Sequence, residues 1–514
     1  MGQINRRNVI YYMKHFLLLI VLFLSSQGVL AREVTDRDCI AWCKFIWQYA
    51  DNPSTALKAL PLRGASYLPS WQSLERHEPV PDWMRDAKFG IYCHWGVYSV
   101  PAYGNEQYFH YMHDDGVGLM NARQRHEAIY GPLEKFGYHD FIPMFRAEKF
   151  DAKEWAELFQ SSGARFAGIV GEHHDGFAMW DSKYTPFNAK RMGPKRDVVG
   201  EMEKAIRQRG MKFFVSLHHE NNYYYVKVKP TWAANNTKYQ KMYGCLMPRD
   251  EWYQMWLDKS KEIVSKYSPD IIYFDAWMDS IPEQKKLDFL AHYFNHAEKT
   301  GQQVIFTYKY NDFPRTIGML DHEMSNPREI DPEPWLCDYT ICDGYHKPWG
   351  YVRGIHYRSH IDIIQKLIEV VANNGQMLLN LAPMADGTFP QEQRDVVENV
   401  GVWLWSYGES IYGTRPYVVS HETTNTGERV YYTRKGNNVY VILLDWPGTE
   451  KPLLLTALND KNLGGRITDA TLLSVKRNFR CRISQSAEGL TLTIPNKSRR
   501  PSDAAHVIRL TVGQ

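Results

Sequence analysis

Apolar runs that end in polar clusters set the rhythm of this chain. Phe89-Gly90-Ile91-Tyr92-Cys93 runs into His94-Trp95-Gly96, and the run from Phe166 to Gly171 into Glu172-His173-His174-Asp175-Gly176-Phe177. Phe213 to Leu217 ends in His218-His219-Glu220, and Ile271-Ile272-Tyr273-Phe274 ends in Asp275. Short apolar runs of this kind read as buried strands. Helical patterns predicted over 152–162, 198–209 and 251–267 each precede such a run, which is the alternation of a parallel α/β barrel. Further strands are predicted at 304–308 and 377–381, the second behind a helix at 361–372, and a last helix at 391–405 closes the domain. Barrels of this type hold their chemistry at the C-terminal strand ends, where this chain puts its histidines and Asp275.

Past residue 425 the texture changes. Short β-rich runs at 429–434, 438–444, 471–475, 490–494 and 507–512 are separated by Gly, Asn and Asp, the pattern of a β-sandwich. Four segments are therefore predicted: a signal peptide at 1–31, a helical lead-in at 32–69, a (β/α)8-like barrel at 70–424 and a C-terminal β-sandwich at 425–514. In the first segment Arg6, Arg7 and Lys14 precede an apolar run at 16–24, and Val29-Leu30-Ala31 offers a small-residue cleavage site. That run is too short to span a bilayer comfortably, and no cysteine at the cut invites a lipid anchor. Export is expected, to the periplasm or the medium, or to the lysosome in a eukaryote, with no membrane insertion once the signal is removed.

Composition narrows the classes further. With 44% hydrophobic and 23% charged residues the chain is an ordinary globular protein. A formal charge of +3 over 514 residues gives no reason to expect nucleic acid or an anionic membrane as partner. The 16 Trp and 33 Tyr suit a cleft that covers the apolar face of a sugar, although the same residues also build cores. Seven cysteines are scattered, and an odd count leaves at least one thiol unpaired within the chain. Cys39 and Cys43 are close enough in sequence to pair without a pattern that demands it. A homo-oligomer is compatible with the sequence.

Six segments occur in one order and spacing that resembles the α-L-fucosidases of glycoside hydrolase family 29. They are Lys88 to Gly96, His173-His174-Asp175-Gly176-Phe177, the strand ending in Asp275, Pro348-Trp349-Gly350-Tyr351, Leu378 to Gly387 and Gly408 to Gly413. A match of that length is far more specific than any single motif. The resemblance implies an exo-acting, retaining glycoside hydrolase that removes terminal α-L-fucose from glycans or glycoconjugates by double displacement. The implied partner is a fucosylated glycan, and no cofactor is implied.

Retention needs two carboxyl groups about 5–5.5 Å apart, one nucleophilic and one protonated. The resemblance assigns the nucleophile to Asp275; strand-end position alone leaves it equally an N-cap carboxylate. It assigns His94, His173 and His174 to the sugar hydroxyls, a task for which neutral imidazole is suited because it both donates and accepts. Glu106 matches a sugar-contacting glutamate, and Trp95, His218, Tyr273 and Trp349 complete the expected substrate-binding set. The acid/base is assigned to Glu323 in Asp321-His322-Glu323, with Glu329 and Glu333 as alternatives. A like charge nearby would give the acid its raised pKa.

A metal reading is the rival. Against it, neighbouring histidines on a strand point to opposite faces, and the HExxH helical spacing is missing, so no metal site is expected. Two departures from the family pattern stand out: Gln107 where Trp is usual and Glu172 where Lys is frequent. They keep open the alternative of a catalytically impaired sugar-binding relative; within the enzyme class the runner-up is a glycosidase for a related sugar such as an α-L-galactoside, which differs from L-fucose by one hydroxyl at C6.

Overall fold

The computed structural model describes residues 67–114, 121–344 and 347–513. The predicted signal peptide, Cys39, Cys43 and all but the last residues of the lead-in lie outside the described residues.

Eight parallel strands close a barrel: β1 (Phe89–Cys93), β2 (Phe166–Glu172), β3 (Lys212–Leu217), β4 (Ile271–Phe274), β5 (Ile305–Lys309), β6 (Met319–Asp321), β7 (Trp335–Thr340) and β8 (Gly375–Leu381). Each pairs with the next, and β8 returns to β1. The strands are buried on both faces, which is why they read as apolar runs rather than alternating ones. Gly168 lets β2 approach β3, because a Cβ there would sit 1.8 Å from the Phe214 carbonyl oxygen. Tyr92, Phe166, Phe214, Ile271, Tyr273, Met319, Leu336 and Leu378 fill the barrel interior, making it a packed core and not a pore.

The outer helices are α1 (Ala152–Ser161), α2 (Val198–Gln208), α3 (Arg249–Tyr267), α4 (Glu283–Thr300), α5 (His360–Ala372) and α6 (Gln391–Tyr407). Capping side chains start several of them. Asp151 accepts from the first-turn amides of α1, Asp197 from Gly200 in α2, and Ser359 and Asp362 form a reciprocal capping box on α5. No helix separates β5 from β6 or β6 from β7. Those two strands break the α/β rhythm and went unread in the sequence.

The C-terminal part is a sandwich of two antiparallel sheets. Its strands are β9 (Arg415–Thr423), β10 (Arg429–Lys435), β11 (Asn438–Leu443), β12 (Pro452–Leu455), β13 (Ile467–Leu472), β14 (Phe479–Arg480), β15 (Arg482–Ser486), β16 (Gly489–Thr493) and β17 (His506–Val512). One sheet has the order β9-β10-β11-β17-β13-β14, the other β12-β16-β15. β9 lies ahead of residue 425, where the sequence texture changes, and as an edge strand it tolerates Pro416.

The larger sheet is apolar on both faces. Val439, Val441 and Ile508 point into the sandwich, while Tyr440, Ile442 and Val507 join the hydrophobic shell of the barrel. Helix α5 packs against β8 on one side and against β9 and β10 on the other.

Candidate active site

The C-terminal strand ends converge on one cavity. It is lined by His94 after β1, Glu106 and Gln107 from the long β1–α1 connection, His173 and His174 after β2, and His218 after β3. Asp275, Ala276 and Trp277 follow β4, Lys309 ends β5 and Tyr310 follows it, Glu323 follows β6, Asp338 lies on β7, and Trp349 precedes α5.

The centre is a chain of charges. Lys309 Nζ lies 2.6 Å from Asp275 Oδ1 and donates to Glu323 Oε2 at 2.6 Å. Two histidines approach the other oxygen of Asp275, His218 Nδ1 at 3.1 Å and His174 Nε2 at 3.5 Å. Burial works against ionisation of Asp275, but Lys309 and the contacts from His218 and His174 outweigh it and hold the carboxyl well below its ordinary range. Burial likewise disfavours the charged amine, yet Asp275 and Glu323 keep Lys309 protonated to well above its usual pKa.

Beneath Lys309 lies a second pair of carboxyls. Asp321 and Asp338 are buried; Tyr273 donates to Asp321 at 3.1 Å and Tyr92 to Asp338 at 2.7 Å, while the Asp338 amide donates to Asp321 at 2.9 Å. Burial pushes Asp321 up to about 7 and Asp338 well above the ordinary range, the latter helped by the charge of Asp321.

The histidines form the opposite wall. Burial holds His94, His173 and His218 below the usual imidazole range, so they stand neutral near pH 7. Asn380 Oδ1 orients His94 through its backbone amide and Nδ1, each at 2.9 Å, and Asn380 Nδ2 donates to the Trp349 carbonyl at 2.7 Å. Glu106 Oε2 accepts from the amides of Trp349 at 2.8 Å and Gly350 at 3.2 Å, which joins it to the Trp349 loop. Its carboxyl is raised, because burial outweighs those amides.

Several expectations need correction. β2 ends at Glu172, so His173 and His174 have left the strand and alternation does not govern them. Both face the same cavity, with ring centroids 4.5 Å apart. Donor atoms of His94, His173 and His218 lie within 4.8 Å of one another, as do those of His174, His218 and Asp275, so either trio has the spacing to hold a cation.

Trp95 does not line the cavity. It is a core residue that donates to the Met384 carbonyl at 2.8 Å and packs on Phe145, Phe150 and Trp155. Tyr273 points into the barrel interior and supports Asp321 instead of lining the cavity. Glu329 and Glu333 are exposed and do not line the cavity, whereas Glu323 does. His219 stacks on Trp256 in the core. Lys309, Asp338 and Asn380 were not named from the sequence. The only signal for them was a polar residue at or near the end of a strand.

The chain can now be compared with known proteins. A family model described as Alpha-L-fucosidase matches residues 55–409, and a second, Alpha-L-fucosidase C-terminal domain, matches 422–511. The chain belongs to the alpha-L-fucosidase family. It is similar to an alpha-L-fucosidase of Branchiostoma floridae, with 30% identity over 86% of this chain and 95% of the relative. It is also similar to tissue alpha-L-fucosidase of Bos taurus, with 30% identity over 87% of this chain and 91% of that one. Among solved structures, Thermotoga maritima alpha-fucosidase bound to a mechanism-based inhibitor superposes with a TM-score of 0.72 at 28% identity, covering 87% of this chain and all of that one. Family membership makes the protein a glycoside hydrolase that releases fucose, built as a barrel followed by a β-sheet domain. Among the described residues no helix is long and apolar enough to cross a membrane.

Proposed function

We propose that the protein removes terminal α-L-fucose from glycans or glycoconjugates with retention of configuration, using Asp275 as nucleophile and Glu323 as acid/base. The shared contact with Lys309 carries this reading. Asp275 Oδ1 and Glu323 Oε2 each lie 2.6 Å from one nitrogen, so they can be no farther apart than twice that distance. Retaining enzymes hold their carboxyls about 5–5.5 Å apart, whereas inverting ones need roughly 6.5–9.5 Å to admit a water between them.

In the first step a carboxylate oxygen of Asp275 bonds to the anomeric carbon as the glycosidic C–O bond breaks. Glu323 gives its proton to the departing oxygen. In the second step Glu323 takes a proton from water, the water oxygen bonds to the anomeric carbon, and the ester to Asp275 breaks. Entry of substrate must first draw Glu323 away from Lys309, leaving the amine to Asp275 and letting the freed carboxylate take from solvent the proton it then gives to the leaving oxygen.

The sugar itself is met by His94, His173, His174, His218, Glu106 and Trp349. His173 and Asp338 both line the cavity, and among the described residues His173 Nδ1 and Asp338 Oδ1 are buried without a hydrogen-bond partner, which suits a polyol able to donate and accept. Asp275 is already paired with the Lys309 ammonium, which competes with any cation for that carboxylate, and activity is expected to survive exhaustive EDTA treatment. The apolar run at 16–24 and the site at Ala31 support action outside the cytoplasm.

The test is NMR of the first product formed from an α-L-fucoside. The α anomer is expected to appear first. Appearance of the β anomer first defeats double displacement, and absence of turnover defeats the catalytic reading.

A further inference from the structure

Two large aromatic side chains stand partly in water on the rim of this cavity. Trp277 is 47% exposed and Tyr310 is 64% exposed. Isolated exposed apolar residues are ordinary on a protein surface; Trp405 on α6, 84% exposed, is one. Trp277 and Tyr310 differ from it in three respects.

Both line the catalytic cavity. Both adopt the left-handed backbone region, with φ of +71° and +53°, which is costly for bulky side chains and concentrates at ligand-contacting positions. And both are tied in sequence to the charged centre. Trp277 comes two residues after Asp275, and Tyr310 directly follows Lys309, whose amine holds Glu323. The rings thus border the side of the cavity from which a leaving group would depart. His174, edge-on to Trp277 at 5.8 Å, connects this rim to the histidine wall.

We propose that Trp277 and Tyr310 form a stacking subsite for the pyranose to which the fucose is attached. This rests on the fucosidase reading above. With fucose held by the histidines and its anomeric carbon at Asp275, the next sugar emerges beside Glu323, against these two rings. A pyranose offers a C–H face to an aromatic ring and hydroxyls to the surrounding polar groups. A lipid chain in the same place would meet Lys309, Glu323 and His174 with nothing to bond to them. The substrate class is therefore fucose linked to a neutral hexopyranose, in preference to fucose on a small aglycone.

Two substrates test this: α-L-fucosyl fluoride, whose leaving group has no ring, and an α-L-fucosyl-galactose disaccharide. The readout is the ratio of kcat/KM for the disaccharide to kcat/KM for the fluoride, which cancels any general loss of folded enzyme. Trp277→Ala and Tyr310→Ala are each expected to lower the ratio roughly tenfold, and Trp405→Ala to leave it in place. Should Trp277→Ala not fold, Trp277→Gly removes the ring while suiting the left-handed backbone. A ratio within about twofold of wild type in both rim variants overturns the subsite, as does an equal fall in Trp405→Ala. Wild-type protein that turns over neither substrate removes the fucosidase reading beneath it. Turnover of the fluoride with unmoved ratios removes the subsite alone.

Discussion

Lys259, on α3, donates to Glu172, the last residue of β2, and both side chains are closed off from water. The family pattern often places a lysine where Glu172 stands, just ahead of His173 and His174. Here the acidic replacement is answered by a cation from a neighbouring helix, so the strand end keeps a paired charge. Burial still pushes Glu172 up to about 7 against the pull of Lys259.

Removing one member of this pair leaves the other stranded. Lys259→Met is expected to cost about 3–5 kcal/mol of stability, seen as a lower denaturant midpoint. The double variant Lys259→Met/Glu172→Met is expected to recover most of that loss. If the double variant is as unstable as the sum of the two single variants, the two charges are not coupled.

Asp275→Gly is expected to lower kcat by several orders of magnitude, with azide partly restoring turnover as a substitute nucleophile. A variant that azide leaves untouched, but whose fold is intact by circular dichroism, argues for a different nucleophile.

Glu323→Ala is expected to cripple natural glycosides, whose alcohol leaving groups need a proton. Aryl fucosides with good leaving groups should suffer far less in their first step. Glu329→Ala and Glu333→Ala are the controls, and leaving-group dependence in either of them transfers the role.

Lys309→Gln tests how Asp275 stays ionised. A nucleophilic carboxylate loses activity as pH falls through its pKa, and in the wild type that pKa is held low largely by Lys309. Without the amine, burial acts with less opposition and the pKa rises. The acid limb of kcat/KM is then expected to move about one to three units toward neutral. A uniform fall in kcat with the limb unmoved would mean that Lys309 only packs the site.

His506 offers a stability test far from the chemistry. It is buried, neither ring nitrogen has a hydrogen-bond partner among the described residues, and burial lowers its pKa from 6.5 to about 4. The unfolded chain binds its proton below about 6.5 while the folded chain resists until about 4, so stability drains away as pH falls across that window. The full loss is about 3 kcal/mol. His506→Phe escapes it and is expected to gain relative to wild type as pH is lowered from 7 to 4, measured by denaturant midpoints. A constant difference across that range would contradict the buried neutral state.

The sequence disclosed the strands that are long and apolar throughout. β1 to β5 and β8 are dominated by consecutive apolar residues because both of their faces are covered, and for most of them a helical pattern ahead marks the start. β6 escaped because it is three residues long, and β7 because Asp338 and Thr340 interrupt its apolar side chains where it faces the charged interior. The site followed the same logic. Asp275 and the histidines stood out as candidates because each follows a legible strand, while their roles came from the family resemblance. Glu323 could be reached only through the family pattern, since its strand was invisible. Lys309 was missed because its place at the end of β5 says nothing about the two carboxylates that meet there. Trp95 and Tyr273 were expected in the substrate-binding set, but their side chains turn the other way, into the core.

Helix α5 buries Ile363, Ile364, Leu367, Ile368, Val370 and Val371 and keeps only a polar stripe of Asp362, Gln365, Lys366 and Glu369. One flank is covered by β8 and the other by β9 and β10. A growing chain therefore makes α5 before the sheet that will roof it, and until residue 435 is available the nascent barrel carries an oily ridge. The two halves cannot be parted like beads on a string. Heated, they should melt together in a single transition. Trimmed at residue 414, the barrel should clump or be degraded before its active site could be asked to work.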